Sequence, residues 1–286
     1  MTTATGESYE TPSGKGAADE NFPVGSMLIA PALRPHVARF YRFARAIDDI
    51  ADNPDLAPED KIARLDAFAA VLEGDKDDAG PDTARDMRES LTTTGVPARH
   101  CLDLISAFRQ DAVKSRYADW AELMNYCDRS AAPVGRYLLD LHGESRDAWP
   151  ASDALCSSLQ VLNHLQDCID DYRDMDRVYL PADWMTAEGA RIEDLSAAAA
   201  STGLRGVFDR CLDGCRSLNS AAGDLPGALK SRRLAAESAV IIAIARRLTG
   251  RLARRDPVAG RVELSKPALA AATLAGLLQT LFGRRP

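Results

Sequence analysis

Phe43-Ala44-Arg45-Ala46-Ile47-Asp48-Asp49-Ile50-Ala51-Asp52 places three aspartates within five residues of an otherwise apolar and aromatic segment. Its counterpart lies far downstream, in Asn163-His164-Leu165-Gln166-Asp167-Cys168-Ile169-Asp170-Asp171. Both segments read as helix. Asp48 and Asp52 stand four apart on one face, and Asp167 and Asp171 repeat the spacing. Like charges so placed disfavour an isolated helix, and divalent cations between two facing helices would compensate them. Asp49, turned by about 100° from Asp48 on an ideal helix, need not coordinate a metal and is suited to a hydrogen bond or salt bridge instead.

Outward from these motifs the pattern stays helical. Residues 1–20 are polar, rich in Gly, Ser and Thr, and read as a flexible segment, with order beginning near Asn21-Phe22-Pro23-Val24. Val37, Phe40, Tyr41, Ala44 and Ile47 follow a helical period that Pro54 and Pro58 end. Pro58-Glu59-Asp60 opens a second helix, residues 74–85 read as an acidic loop, and Pro97 opens a third helix. A further helix is expected from Trp120 toward Gly143, then a polar link around Pro150, then a long amphipathic helix from Leu155 to Tyr172. After a break at Val178-Tyr179-Leu180-Pro181 and a short helix, three more are expected near 202–221, 226–251 and 266–282. With no strand–turn–strand pattern, the expected fold class is all-α, as one domain over 21–286.

Composition sets bounds on function. The 286 residues are 46% hydrophobic, enough for a substantial core, and the net charge of −7 argues against a general nucleic-acid surface. Six cysteines without a CxxC pair fit a reduced, cytoplasmic chain. Neither a signal peptide nor a membrane span is expected. Leu269 to Phe282, followed by Arg284 and Arg285, offers a face for peripheral membrane contact, although a buried terminal helix is the more economical reading. Oligomeric state is not legible.

The acidic pairs suit Mg²⁺, which would be held through carboxylate oxygens with positions open to diphosphate oxygens, across a cavity whose apolar part takes a carbon skeleton. The bland alternative is solvated or helix-capping charge. Arg45 reads as a phosphate-binding or site-organising group and Arg42 as a weaker candidate; Arg173 and Arg177 follow the second acidic set. Arg261 could close a phosphate site from the C-terminal part or lie on the surface. His164 has no ligand-spaced partner, so a core or hydrogen-bonding role outweighs zinc binding. No nucleophile–base pair and no glycine-rich phosphate loop is present.

Phe40-Tyr41-Arg42-Phe43 running into the first acidic motif, the second acidic motif, and Arg177-Val178-Tyr179-Leu180-Pro181 together resemble the squalene and phytoene synthase superfamily. Within it the resemblance is strongest to the bacterial hydroxysqualene synthase branch of hopanoid biosynthesis. Supporting stretches are Ser13-Gly14-Lys15-Gly16, Asp19-Glu20-Asn21-Phe22-Pro23-Val24, the segment from Tyr126 to Arg136, and Leu264-Ser265-Lys266-Pro267.

The resemblance implies an isoprenoid synthase fold and Mg²⁺-assisted conversion of presqualene diphosphate and water to hydroxysqualene. It implies that Asp48, Asp52, Asp167 and Asp171 are catalytic metal ligands. Arg45 and Arg261 match diphosphate contacts, and Asn163 the edge of that site. Arg129 stands where many relatives carry an aromatic, and would orient diphosphate or water. Gln166 replaces the arginine usual in phytoene synthases. Tyr41, Tyr126, Asp128, Arg129 and Asn163 are candidates for the surroundings of the reacting water, although Tyr41 and Tyr126 would equally serve as packing. The alternatives are presqualene diphosphate or squalene synthesis from farnesyl diphosphate, and a noncatalytic helical interaction protein.

Overall fold

The computed structural model describes residues 29–74 and 80–282. The expected flexible segment 1–20, the ordered start at 21–24, the glycine-containing stretch 13–16 and Arg284 and Arg285 lie outside the described residues. The chain forms two compact units, one holding residues 31–113 and the other residues 29–30 and 114–282 of those described. Both are built from helices, and the fold is all-α.

The first unit packs four helices: α1 (Arg34–Asp52), α2 (Pro58–Glu73), α3 (Asp82–Thr94) and α4 (Arg99–Asp111). Pro35 and Pro58 sit in the first turns of α1 and α2, where a missing N–H is no loss, and Glu59 and Asp60 complement the α2 N-terminus. Gly74 and Gly95 end α2 and α3 at φ of 87° and 71°, backbone angles that a side chain would strain. Phe43, Ile47, Ile50, Leu65, Phe68, Met87, Leu104 and Ile105 form the core, with Phe43 edge-on to Phe68 at 5.9 Å. The acidic loop expected over 74–85 is shorter than anticipated: α3 begins at Asp82, and its buried face is only Ala84, Met87, Ser90 and Leu91. So sparse an apolar stripe leaves little period to read.

The second unit contains β1 (Arg116–Tyr117), α5 (Trp120–Ser130), α6 (Ala132–Leu141), α7 (Trp149–Met175), β2 (Val178–Pro181), α8 (Ala182–Ala187), α9 (Thr202–Ala221), α10 (Leu225–Ala228), α11 (Arg232–Leu252) and α12 (Lys266–Phe282). α7 is the longest and packs against α6, α9 and α11. Asp119, Ser201 and Ser231 cap α5, α9 and α11 through their side-chain oxygens. A buried polar chain ties three helices together: Ser158 Oγ donates to Asn219 Oδ1 at 2.9 Å, and Asn219 Nδ2 donates to Thr249 Oγ1 at 3.1 Å.

Three expectations are corrected here. The helix anticipated from Trp120 toward Gly143 is two, broken at Ala131 because Pro133 starts α6. Pro150 is not in a link but in the first turn of α7, the position a helix tolerates. The anticipated 226–251 helix is divided into α10 and α11 by an extended Leu229 and the Ser231 cap. The short parallel pair of β1 and β2 went unread, since residues 116 and 178 meet only in three dimensions. The six cysteines are all unbridged thiols.

Candidate active site

In the first unit, Phe43, Ile47, Ile50 and Ala51 face the core, so the turn of α1 that buries them sets Asp48 and Asp52 on its flank. Arg45 straddles two carboxylates. Its Nη1 lies 2.9 Å from Asp48 Oδ2 and its Nη2 2.9 Å from Asp49 Oδ1. Asp49 is buried in this salt bridge, the role expected of it. Asp48 keeps 29% of its side chain exposed, yet its carboxyl titrates well above the usual carboxylate range, chiefly because of burial and then because of the charge of Asp52. Arg45 opposes that shift, whereas Asp49 and the buried Asp111 of α4 add to it. Arg42 turns to α3, 3.7 Å from Asp86. Tyr41 is half-buried on the same helix. The terminal turn of α1 is held by Lys61, whose Nζ donates to the Ala51 carbonyl at 2.8 Å.

The second acidic site is built on α7. Val161, Leu162, Leu165 and Cys168 are buried, leaving Asn163, Asp167 and Asp171 on one half-buried face at four-residue steps. Arg261, from the segment between α11 and α12, reaches Asp167 Oδ1 with Nη1 at 2.8 Å and Glu263 with Nε at 2.9 Å. Beside it the buried Gln166 donates its amide to the Val262 carbonyl at 2.6 Å. These adjacent links hold the 253–265 segment against α7. Asp170 points elsewhere, pairing with Arg173 at 2.8 Å.

Asp171 Oδ2 lies 3.9 Å from His164 Nδ1. Burial, reinforced by the Arg177 guanidinium, pushes the His164 pKa down to about 3, so the ring is neutral and this contact is not an ion pair. Tyr179 stacks on His164, with centroids 3.6 Å apart and planes 11° off parallel. Tyr126 and Tyr117 complete the cluster, at 5.6 and 5.4 Å from Tyr179. Tyr126 is thus buried among the rings of Tyr117, His164 and Tyr179. Arg129, one turn further along α5, lies half-exposed with Nη2 3.4 Å from Asn125 Oδ1.

Asp111, Tyr117 and the stacking role of Tyr179 escaped the sequence reading, because nothing in the local spacing of these residues marks their neighbours. Arg177 carried such a mark, following the second motif. It ends α7: Asp176 adopts φ of 50°, and the Arg177 N–H returns to the Asp171 carbonyl at 3.0 Å. This turn sends the chain into β2 and brings Tyr179 back over His164.

Among the described residues no three His, Cys, Asp or Glu side chains gather as a ready-made metal group. Two carboxylates on one helix nevertheless fit Mg²⁺, which takes one or two carboxylates and completes its shell with phosphate oxygens and water. The repulsion between Asp48 and Asp52 is a further reason for a cation to bind there. A cysteine nucleophile is not available: burial pushes the Cys156, Cys168 and Cys215 thiols up to about 12.

A family model for squalene/phytoene synthase matches residues 16–268. The hydroxysqualene synthase of Rhodopseudomonas palustris is 46% identical over 259 residues, covering 89% of this chain and 87% of the relative. That of Zymomonas mobilis is 44% identical over 256 residues, with coverage of 89% and 86%. The crystal structure of squalene synthase HpnC from Alicyclobacillus acidocaldarius superposes with a TM-score of 0.71 at 31% identity, covering 81% of this chain and 87% of that one.

Proposed function

Because the chain belongs to the squalene/phytoene synthase family, we propose that it converts presqualene diphosphate and water to hydroxysqualene and diphosphate. The observation that carries this reading is its identity of 46% and 44%, along nearly nine-tenths of the chain, to two relatives named hydroxysqualene synthase. The chain is an enzyme of the isoprenoid synthase type.

In the proposed reaction the carbon–oxygen bond to diphosphate breaks and its electron pair leaves with the diphosphate. The resulting cyclopropylcarbinyl cation rearranges, water adds through oxygen, and the water loses a proton. Asp48 and Asp52 on α1, and Asp167 and Asp171 on α7, would hold Mg²⁺. When bound, Mg²⁺ draws charge from the departing diphosphate. Arg45 and Arg261 each rest on one of those carboxylates and have guanidinium donors suited to diphosphate oxygens. Asn163, one turn before Asp167, is assigned to the edge of the diphosphate. Arg129 and Tyr41 are assigned to orienting diphosphate or water. His164, being neutral, adds no positive charge beside Asp171.

A second reading, synthesis of presqualene diphosphate or squalene from farnesyl diphosphate, is favoured by the name of the solved structure it resembles, a squalene synthase. Incubation of the purified protein with Mg²⁺ and presqualene diphosphate, with and without reduced nicotinamide, separates the two. Hydroxysqualene without the reductant is the expected product. Squalene formed only with reductant, or abundant presqualene diphosphate from farnesyl diphosphate alone, would transfer the assignment to the second reading. Removal of Mg²⁺ by EDTA should abolish turnover, and its re-addition should restore it.

A further inference from the structure

Each of the two acidic sites ties one of its proposed ligand carboxylates to an arginine, and each arginine holds a second carboxylate to which no metal is assigned. In the first unit Arg45 bridges Asp48 and Asp49, both at 2.9 Å. In the second, Arg261 places Nη1 2.8 Å from Asp167 and Nε 2.9 Å from Glu263. Asp49 is buried, whereas the Glu263 side chain is 60% exposed, so packing does not dictate an acid there.

The backbone around Arg261 is pinned. Asp256 accepts from the Ala200 and Val258 N–H groups at 2.8 and 2.9 Å, and Arg205 donates to the Leu252 and Arg255 carbonyls at 3.0 and 3.1 Å. Gln166 holds the carbonyl of the buried Val262, and the exposed Arg261 and Glu263 flank it. Their side chains can therefore exchange partners while the segment stays in place.

Asp167 cannot serve a guanidinium and a divalent cation equally, since the two cations repel each other and compete for the same oxygens. We propose that Arg261 is the resident counter-ion of Asp167, exchanged when a divalent cation binds, and that Glu263 is the positioning residue that then retains it. Glu263 holds Nε, which leaves both Nη groups for diphosphate oxygens. Without Glu263 the released arginine would be a long, unrestrained side chain, to be ordered again at an entropic cost when diphosphate arrives. This role deepens the proposed function and rests on its assignment of Asp167 as a metal ligand.

The experiment is titration of the full-length protein with Mn²⁺, read as the electron paramagnetic resonance of the unbound ion. Asp167→Asn identifies the share of binding that belongs to this site. Arg261→Ala should bind Mn²⁺ about three- to fivefold more tightly than the parent, the scale of a partly exposed ion pair. Glu263→Gln should weaken binding by about the same factor, because Arg261 then rests on Asp167 alone, and Glu263→Asp should restore much of it. In the Arg261→Ala background Glu263→Gln should change nothing, whereas a carboxylate acting directly on the cation would still matter there. Equilibrium dialysis of labelled inorganic diphosphate at fixed Mn²⁺ should show weaker binding to both Arg261→Ala and Glu263→Gln. If Asp167→Asn binds Mn²⁺ as the parent does, the metal assignment itself falls, and the counter-ion role with it. If Asp167→Asn loses binding while Arg261→Ala binds no more tightly, or Glu263→Gln acts equally in both backgrounds, the metal assignment stands and the counter-ion role is overturned.

Discussion

Gln166 donates its buried side-chain amide to the Val262 carbonyl at 2.6 Å, and the residue after the one and before the other, Asp167 and Arg261, meet at 2.8 Å. A neutral side chain at 166 binds the carbonyl without adding a cation beside Asp167. The site's chemistry and the anchoring of the 253–265 segment are therefore coupled. Gln166→Leu should destabilise the fold by about 1–3 kcal/mol and lower kcat/KM. In a double-mutant cycle with Arg261→Ala the effects on kcat/KM should be less than additive. Strict additivity would show that Gln166 does not act through Arg261.

Asp48→Asn separates stability from activity. The folded carboxyl of Asp48 titrates above its ordinary 3.8, so in the window between the two values the folded chain keeps a proton that the unfolded chain has released. Stability contributed by this group is therefore lost as pH rises through that window, and the penalty is complete above it. Without divalent cation, Asp48→Asn should melt higher than the parent at pH 7, with the advantage shrinking toward pH 4. With Mg²⁺ its turnover should fall by at least about a hundredfold. Undiminished turnover at limiting Mg²⁺ would remove Asp48 from the ligand set.

His164 has the opposite sign. Its folded pKa of about 3 lies below the ordinary 6.5, so its contribution is present above 6.5 and is lost as pH falls toward 3. His164→Phe should keep an aromatic ring against Tyr179 and flatten the fall in stability over that window. Urea titrations at several pH values read the slope; equal slopes for both proteins would mean that His164 is not buried as a neutral ring.

The Ser158–Asn219–Thr249 chain joins α7, α9 and α11. Asn219→Ala removes both links and opens a cavity, and should cost about 2–4 kcal/mol in chemical denaturation. A loss below about 0.5 kcal/mol, the level of a surface change, would mean that the chain contributes nothing.

Gly276 tests how α12 is held. Its Cβ would overlap the Val240 backbone, which cannot give way as a flexible side chain can. Gly276→Val should destabilise by roughly 1–3 kcal/mol and expose α12 to limited proteolysis ahead of the remaining chain. A protease pattern identical to that of the parent would argue against close α11–α12 packing.

The sequence alone determined the helical class, most helix positions and the two acidic motifs, because helical periodicity and i,i+4 spacing are local properties. Asp48 and Asp52, and Asp167 and Asp171, were legible for that reason, as was the separate role of Asp49. Helix ends were less so: Pro133 and Pro150 start helices where they read as part of a helix and of a link, and α3 has too few apolar residues to advertise itself. Only tertiary structure could decide which side chains meet across long stretches of chain. It set Gln166 on Val262 and Arg261 on Asp167, folded Tyr179 back over His164, and paired Arg116 with Val178. It also divided α12 into a packed and an exposed face. Such contacts depend on how buried faces pack rather than on spacing along the chain, so they have no local pattern to read.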